Sequence, residues 1–141
     1  MNREIAPLLL RLFLAFVLIY GTLDNVISHE RMIEFRDFLA KNGFPMPMFS
    51  ARLSAYGQFI AGILLALGLF TRLTSIVVII NFIAALAMVH VGLPFNANIA
   101  PLAMLVGGVF FAIYGAPKYS LDARRNAGIP PAEQGASRSR P

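Results

Sequence analysis

The sequence predicts an all-α integral membrane protein, a bundle of four transmembrane helices with a short amphipathic helix between the first and the second. Hydrophobic residues make up 57% of the 141 residues and charged residues only 13%, whereas a soluble domain carries ~25% charged residues. The apolar residues also fall into four blocks, each close to the ~20 residues that an α-helix needs to cross a bilayer. Four buried helices of a soluble protein are the alternative, but these blocks lack the charged outer face of such helices.

The first predicted span covers residues 5–23 and contains one charged side chain, Arg11. A cation at the centre of a bilayer costs ~2.5–3.5 kcal/mol on insertion scales. Arg11 would lie ~9 Å inside the membrane boundary at 1.5 Å per residue, so its side chain either snorkels to the headgroups or pairs with an acid. Asp122 returns to the same surface after the fourth span, and we expect a structural ion pair between Arg11 and Asp122.

Residues 28–41 predict the amphipathic helix, with Ser28 as its N-cap and Asn42-Gly43 at its end. Its apolar residues recur at helical spacing and oppose a charged face. The helix either lies on the membrane interface or packs over the mouth of the bundle, and the two interpretations are compatible. The apolar stripe consists of Met32, Ile33, Phe35, Phe38 and Leu39.

The remaining predicted spans are residues 53–70, 73–91 and 97–114. The sequence GLFTR at 68–72 leaves so short a connection that the second and third spans must form an antiparallel hairpin. Gly68 is expected to end one helix and Thr71 to cap the next. Small residues at i, i+4 spacing indicate close helix packing; the pairs are Gly57 with Ala61, Gly62 with Ala66, and Gly108 with Ala112.

The predicted membrane domain covers residues 1–122, and a basic tail at 123–141 is expected to be disordered because it is rich in Pro, Gly, Ser and Arg. Lys and Arg are more numerous on the side of the termini than on the other side, which predicts both termini in the cytoplasm. The net charge of +5 is expected to face anionic lipids, and no basic stripe with interleaved aromatics indicates nucleic acid. The chain has no cysteine, which excludes thiolate metal sites and thiol redox chemistry.

Polar side chains in or near the spans are expected to converge at the outer mouth of the bundle. Buried polar groups in a membrane cost free energy unless they are paired, so these residues form either a ligand pocket or interhelical hydrogen bonds that only hold the helices together. The candidate pocket residues are Tyr20, Asp24, Asn25, Gln58, His90 and Asn98. Asn81 lies nine residues before His90, and at 100° per residue this spacing puts the two on opposite faces of the helix, so we expect that they cannot both point into one narrow pocket.

The chain has two histidines, His29 and His90. Haem ligation by two histidines usually needs both to be buried and to face each other from two spans, and His29 is expected to be exposed. We therefore predict no metal site, and we interpret His90 as a hydrogen-bonding or proton-transfer residue at the mouth.

The chain resembles the DoxX family of small four-helix membrane proteins over residues 7–123. GLFTR followed by YSLD is the more specific part of this resemblance. The residues that carry it are LLLRL at 8–12, YG at 20–21, GFP at 43–45, GxxLALGLFTRL at 62–73, Asn81, and KYSLDA at 118–123.

The resemblance implies a protein of a bacterial-type plasma membrane (cell inner membrane), with a possible role as an oxidoreductase component. Among similar proteins, the DoxD-like group includes a subunit of an archaeal thiosulfate:quinone oxidoreductase. The chain departs from the family pattern at three positions, where amides replace a Lys and two Glu residues. These positions are Asn25, Gln58 and Asn98.

Two functional hypotheses follow. The first is an accessory subunit of a membrane redox system that binds a quinone or a similar lipophilic ligand and receives electrons from a protein partner, since the chain itself supplies no cofactor ligands. The second is a non-enzymatic scaffold that recruits protein partners through the amphipathic helix or the tail. A homo-oligomer is compatible with either, and a small-solute transporter is less favoured because the two helix pairs show no internal repeat.

Overall fold

The computed structural model describes residues 3–128. All regular structure in this range is α-helical, and four of the helices are long and apolar enough to cross a membrane. The predicted fold class is therefore confirmed. The helices are α1 (Ile5–Ile27), α2 (His29–Lys41), α3 (Pro47–Leu67), α4 (Thr71–Met88), α5 (Phe95–Tyr114) and α6 (Leu121–Ala127).

The helix boundaries differ from the predicted ones by a few residues. α3 begins at Pro47 rather than at residue 53, because proline lacks the N–H that would be unpaired in a first turn and already has a helical φ. α4 ends at Met88 rather than at residue 91. His90 therefore lies beyond the helix, in the loop that leads to α5.

The bundle is built from two helix pairs. α1 packs most extensively against α3 and α4 against α5; α3 and α4 join the pairs, whereas α1 and α5 touch only slightly. Gly62 allows the first pair to approach closely, since a Cβ at this position would meet the Ala15 carbonyl oxygen at 3.1 Å. The core consists of Leu14, Ala15, Leu18, Ala61, Leu65, Val78, Met104 and Phe111.

The amphipathic helix α2 packs against the first half of α3. Its buried Met32 and Leu39 form a second cluster with Ala51 and Ala55. Ser28 caps the helix as predicted, because its hydroxyl oxygen accepts a hydrogen bond from the N–H of Arg31. These contacts support the interpretation that α2 covers one mouth of the bundle.

The bundle has two chemically different ends. The end that carries α2, which we call the α2 end, also holds the ends of α1 and α4. The opposite end, which we call the α6 end, holds the start of α1, the α3–α4 turn, the end of α5, and α6. The expected disorder from Ala123 onward is wrong for residues 123–127, which are helical and capped by the Ser120 hydroxyl; residues 129–141 of the predicted tail lie outside the described residues.

Candidate functional site

A cleft between α3 and α4 is the best candidate for a ligand site. It consists of two adjoining cavities of about 330 and about 230 Å³, near the lower end of the ~300–1,000 Å³ range of small-molecule pockets. The larger cavity opens between the two helices, and the smaller one continues under α2 and the loop before α3. Both are mainly apolar, and the residues they share are Phe44, Ser50, Ser54, Gln58, Asn81 and Ala84.

A chain of three polar side chains crosses the wall that the two cavities share. The amide nitrogen of Gln58 donates to the hydroxyl of Ser54 at 2.9 Å, and this hydroxyl donates to Oδ1 of Asn81 at 2.8 Å. Ser54 and Gln58 lie four residues apart on α3 and so share one face of that helix, whereas Asn81 lies on α4. The chain therefore links the two helices in the middle of the membrane span.

The hydrogen-bond chain leaves one donor and one acceptor at its ends. Among the described residues, the Nδ2 of Asn81 and the Oε1 of Gln58 make no hydrogen bond within the protein. In an apolar cavity such atoms are costly without a partner. A ligand that accepts a hydrogen bond from Asn81, or donates one to Gln58, would satisfy them.

His90 faces the smaller cavity together with Asn81, so the expectation that these two residues cannot share a pocket is wrong. The expectation assumed that the helix continued to residue 91, but α4 ends at Met88 and the helical angle between the two positions does not apply. The Nδ1 of His90 is buried and has no hydrogen-bond partner among the described residues. A titratable ring thus lies beside the apolar cleft.

The structure separates the other predicted pocket residues from this cleft. Asn25 lines a shallow groove at the α2 end beside His29, Arg52 and Tyr56. Asp24 is exposed and accepts a hydrogen bond from the backbone N–H of Asn25. Of the six predicted pocket residues, Gln58 and His90 lie in the cleft.

The two remaining candidates lie on helices that do not line the cleft. Tyr20 is 72% exposed and stacks on Phe16 on the lipid-facing side of α1. It is two residues, or 200°, away from the buried Leu18, so the helical geometry turns it outward. Asn98 lies near the start of α5, where its Oδ1 is buried without a partner among the described residues.

Ser54, the central member of the hydrogen-bond chain, is not among the site residues predicted from the sequence. Its spacing of four from Gln58 was a usable signal, because polar residues at i, i+4 in an apolar span share a face. Gly57 was interpreted as a packing residue, but a Cβ there would meet nothing within 4 Å. Gly57 lines the larger cavity instead.

Arg11 lies at the α6 end and is fully enclosed, with 2% of its surface exposed. Its Nη2 donates to the backbone carbonyl of Tyr119 at 2.7 Å, whereas Nε and Nη1 are buried and have no hydrogen-bond partner among the described residues. No nitrogen of Arg11 lies within 4.0 Å of the Asp122 carboxylate, so the two form no contact ion pair, but the charge of Asp122 is close enough to act favourably on Arg11. Arg11 nevertheless holds the segment after α5 against the bundle, which is the structural role expected of the pair.

The carboxylate of Asp122 caps α4 from a distance of about fifty residues along the chain. It accepts hydrogen bonds from the N–H of Phe70 at 2.9 Å and from the N–H and hydroxyl of Thr71 at 2.8 and 3.0 Å. Burial by itself raises the pKa of Asp122, but these hydrogen bonds and the charge of Arg125 outweigh it and lower the pKa below its ordinary value. The cap that was expected from Thr71 is thus supplied by Asp122.

Gly68 allows the α6 end to close. It ends α3 in a left-handed conformation with φ of +68°, and its carbonyl accepts from the N–H of Asp122 at 3.0 Å. A Cβ here would overlap Ser120 and lie 2.6 Å from Nη1 of Arg11. The GLFTR and YSLD segments, separate in sequence, therefore form one interlocked unit, which we call the latch (Arg11, residues 68–71 and residues 119–122).

The family model described as DoxX matches residues 6–91, more than half of the chain. This range contains Arg11, Gly68 and the residues of the cleft, and it ends before α5 and Asp122. No curated protein and no solved structure matches the chain.

Proposed function

The chain belongs to the DoxX family of membrane proteins, and on this premise we propose that it is an accessory subunit of a membrane redox system that binds a quinone in the cleft between α3 and α4. The observation that carries the proposal is the hydrogen-bond chain of Gln58, Ser54 and Asn81, which places a free donor and a free acceptor beside an apolar cavity. Apolar walls with a few convergent polar groups are the usual form of a small-molecule site.

The available groups match the chemistry of a quinone and its reduced form. The Nδ2 of Asn81 is positioned to donate to a carbonyl oxygen, and the Oε1 of Gln58 to accept from a hydroxyl. His90 is positioned to exchange protons at the cavity wall. When bound, a quinone supplies reversible two-electron, two-proton chemistry, and a partner protein must supply the electrons.

Extraction of the purified protein tests the proposal. The full-length protein is purified in mild detergent from a quinone-containing membrane, and the organic extract is analysed by mass spectrometry. Gly57→Leu fills the larger cavity from a position with open space, whereas Gly21→Leu adds the same side chain at a position of α1 that is equally open. We expect stoichiometric quinone in the wild type and in Gly21→Leu, and its loss in Gly57→Leu.

Two other outcomes of the extraction would contradict the proposal. Quinone that persists in Gly57→Leu would show that the cleft is not its site. A wild-type extract with phospholipid alone would reject the redox proposal and favour the scaffold hypothesis, in which protein partners dock on the exposed surfaces of the bundle.

The proposal includes an orientation with the α6 end in the cytoplasm. It is supported by Arg72, Lys118, Arg124 and Arg125 at this end, none of which forms an ion pair with another described residue. At the α2 end, Arg31 and Arg36 are paired with Glu34 and Asp37, and Lys41 and Arg52 form no ion pair among the described residues. Arg3 is a further cation at the α6 end, and the side of the membrane with more Lys and Arg near the span ends is the cytoplasmic one.

Labelling of single-cysteine variants tests the orientation, since the chain has no cysteine of its own. A membrane-impermeant maleimide added to intact cells should label Glu30→Cys at the α2 end and should not reach Asn126→Cys at the α6 end. Both positions are exposed in the protein, so permeabilised cells provide the positive control. The reverse pattern would overturn the orientation.

A further inference from the structure

A second cleft lies at the α6 end, between the start of α4, the end of α5, and α6. Its volume is about 800 Å³, and it is more polar than the cleft between α3 and α4. No residue that lines this second cleft also lines the larger cavity of the proposed quinone site. Its wall contains Arg72, Tyr114, Asp122, Arg125 and Asn126.

The charged side chains that face this cleft are two cations, Arg72 and Arg125, and one anion, Asp122. Arg72 and Arg125 are both exposed and form no ion pair within 4.0 Å among the described residues. Asp122 is the acid in the wall, but its two oxygens already accept three hydrogen bonds from Phe70 and Thr71. Two guanidinium groups against one carboxylate leave the cleft with a net positive charge, which favours an anion.

Each guanidinium group lies against a neighbouring group of the cleft. The Nε of Arg72 lies 2.9 Å from where a Cβ of Gly115 would be, so the missing side chain gives it room against the end of α5. The Cζ of Arg125 lies 5.4 Å from the centroid of the Phe70 ring, within the range of a cation–π contact. A guanidinium presents paired N–H donors that fit phosphate oxygens, and a fixed one loses less entropy on binding.

The level of the cleft along the helices indicates that the anion is a lipid headgroup. Thr71 is the first residue of α4 and Tyr114 the last residue of α5, so the cleft begins where the apolar spans end. In a bilayer this is the level of the headgroups. Leu73 and Tyr114 add apolar surface on the membrane side, against which the start of an acyl chain can pack.

From these observations we propose that the cleft at the α6 end binds the phosphate of an anionic phospholipid, with Arg72 and Arg125 as its ligands. Basic pockets between transmembrane helices at the membrane surface are known to bind anionic headgroups. The proposal does not depend on the quinone site.

Native mass spectrometry of the full-length protein tests this site with defined lipids. The protein is exchanged into mild detergent and titrated with phosphatidylglycerol, and phosphatidylcholine serves as the zwitterionic comparison. Each basic residue near a membrane surface contributes about a fivefold increase in affinity for anionic lipid. We expect phosphatidylglycerol to bind at least tenfold more tightly than phosphatidylcholine, and Arg72→Gln and Arg125→Gln each to weaken it about fivefold.

Arg124→Gln is the matched control, since it removes one charge from the same short helix at a residue that does not line the cleft. It should change the affinity less than twofold. Thermal unfolding of each variant in detergent checks the fold, and Arg125→Gln remains decisive if Arg72→Gln is unstable, because Arg125 lies on the exposed face of α6.

Three results would overturn the proposal. Equal weakening by Arg124→Gln and Arg125→Gln would indicate a diffuse surface charge rather than a site. Equal binding of phosphatidylcholine would show that the anionic headgroup is not recognised. Displacement of phosphatidylglycerol by millimolar inorganic phosphate would identify the cleft as a site for free phosphate.

Discussion

The Asp122 cap in the latch and the hydrogen-bond chain in the cleft between α3 and α4 both place polar side chains at membrane-spanning helices, but the protein satisfies them differently. In the latch, the oxygens of Asp122 accept three hydrogen bonds from the α3–α4 turn. In the cleft, Asn81 and Gln58 keep hydrogen-bonding atoms without partners in the described part of the chain. A polar group that the protein satisfies itself stabilises the fold, whereas one left open beside a cavity indicates binding.

Gly68→Ala should produce the largest loss of stability, because it acts on the latch. The substitution puts a side chain on a left-handed residue and drives it into Ser120 and Arg11. The backbone strain at residue 68 and the displacement of Ser120 and Arg11 should together lower the free energy of unfolding by about 3 kcal/mol. The measurement is SDS-induced unfolding in detergent micelles.

Gly43→Ala is its control, since Gly43 also has a positive φ, of +79°, but open space around it. It should cost only about 1 kcal/mol. Equal effects of the two substitutions would show that the backbone conformation alone is responsible, and that the latch is not tightly packed.

Asp122→Ala should cause the second-largest loss of stability, and it also acts on the latch. It removes the cap of α4 and leaves the N–H groups of Phe70 and Thr71 unsatisfied, at a cost of about 1–2 kcal/mol. Asp37→Ala removes an acid of equal size from an exposed ion pair with Arg36 and should cost less than about 0.5 kcal/mol. The same SDS unfolding experiment compares them, and a smaller effect at Asp122 would contradict its role as a cap.

The contribution of Asp122 should also depend on pH. Because its pKa is lower in the folded protein than in the unfolded chain, the stabilisation is complete above the ordinary carboxyl pKa of ~3.9 and is lost as the pH falls through the lower folded pKa. The difference in unfolding free energy between the wild type and Asp122→Asn should be constant at neutral pH and should shrink below about pH 4. A difference that grows on acidification would contradict the assignment.

Asn81→Leu should have a smaller effect on stability than either substitution in the latch, and it sharpens the contrast between the two regions. Interhelical hydrogen bonds in membranes average ~0.6 kcal/mol, and leucine regains part of this by filling apolar space. We expect a change of less than about 1 kcal/mol in unfolding together with loss of the bound quinone. A large loss of stability with the ligand retained would make the cleft a structural contact like the latch.

Sequence patterns predicted the features that depend on local composition. Each span is recognisable from its own hydropathy, because the cost of placing polar residues in lipid is summed along a single helix. The amphipathic α2 and its Ser28 cap follow from residues within a few positions of one another. Gly68 as the end of α3 was predictable for the same reason, since a left-handed terminus favours glycine.

The tertiary structure decided which distant groups meet. Arg11 and Asp122 lie in the same region, but they have different partners: Arg11 donates to the Tyr119 carbonyl, and Asp122 accepts from the start of α4. His90 joined Asn81 because α4 ends two residues before it, while Tyr20 turned towards lipid. Hydrogen bonds of this kind depend on where a helix ends and how it is rotated, and in a membrane those are set by packing between helices rather than by the composition of any one of them.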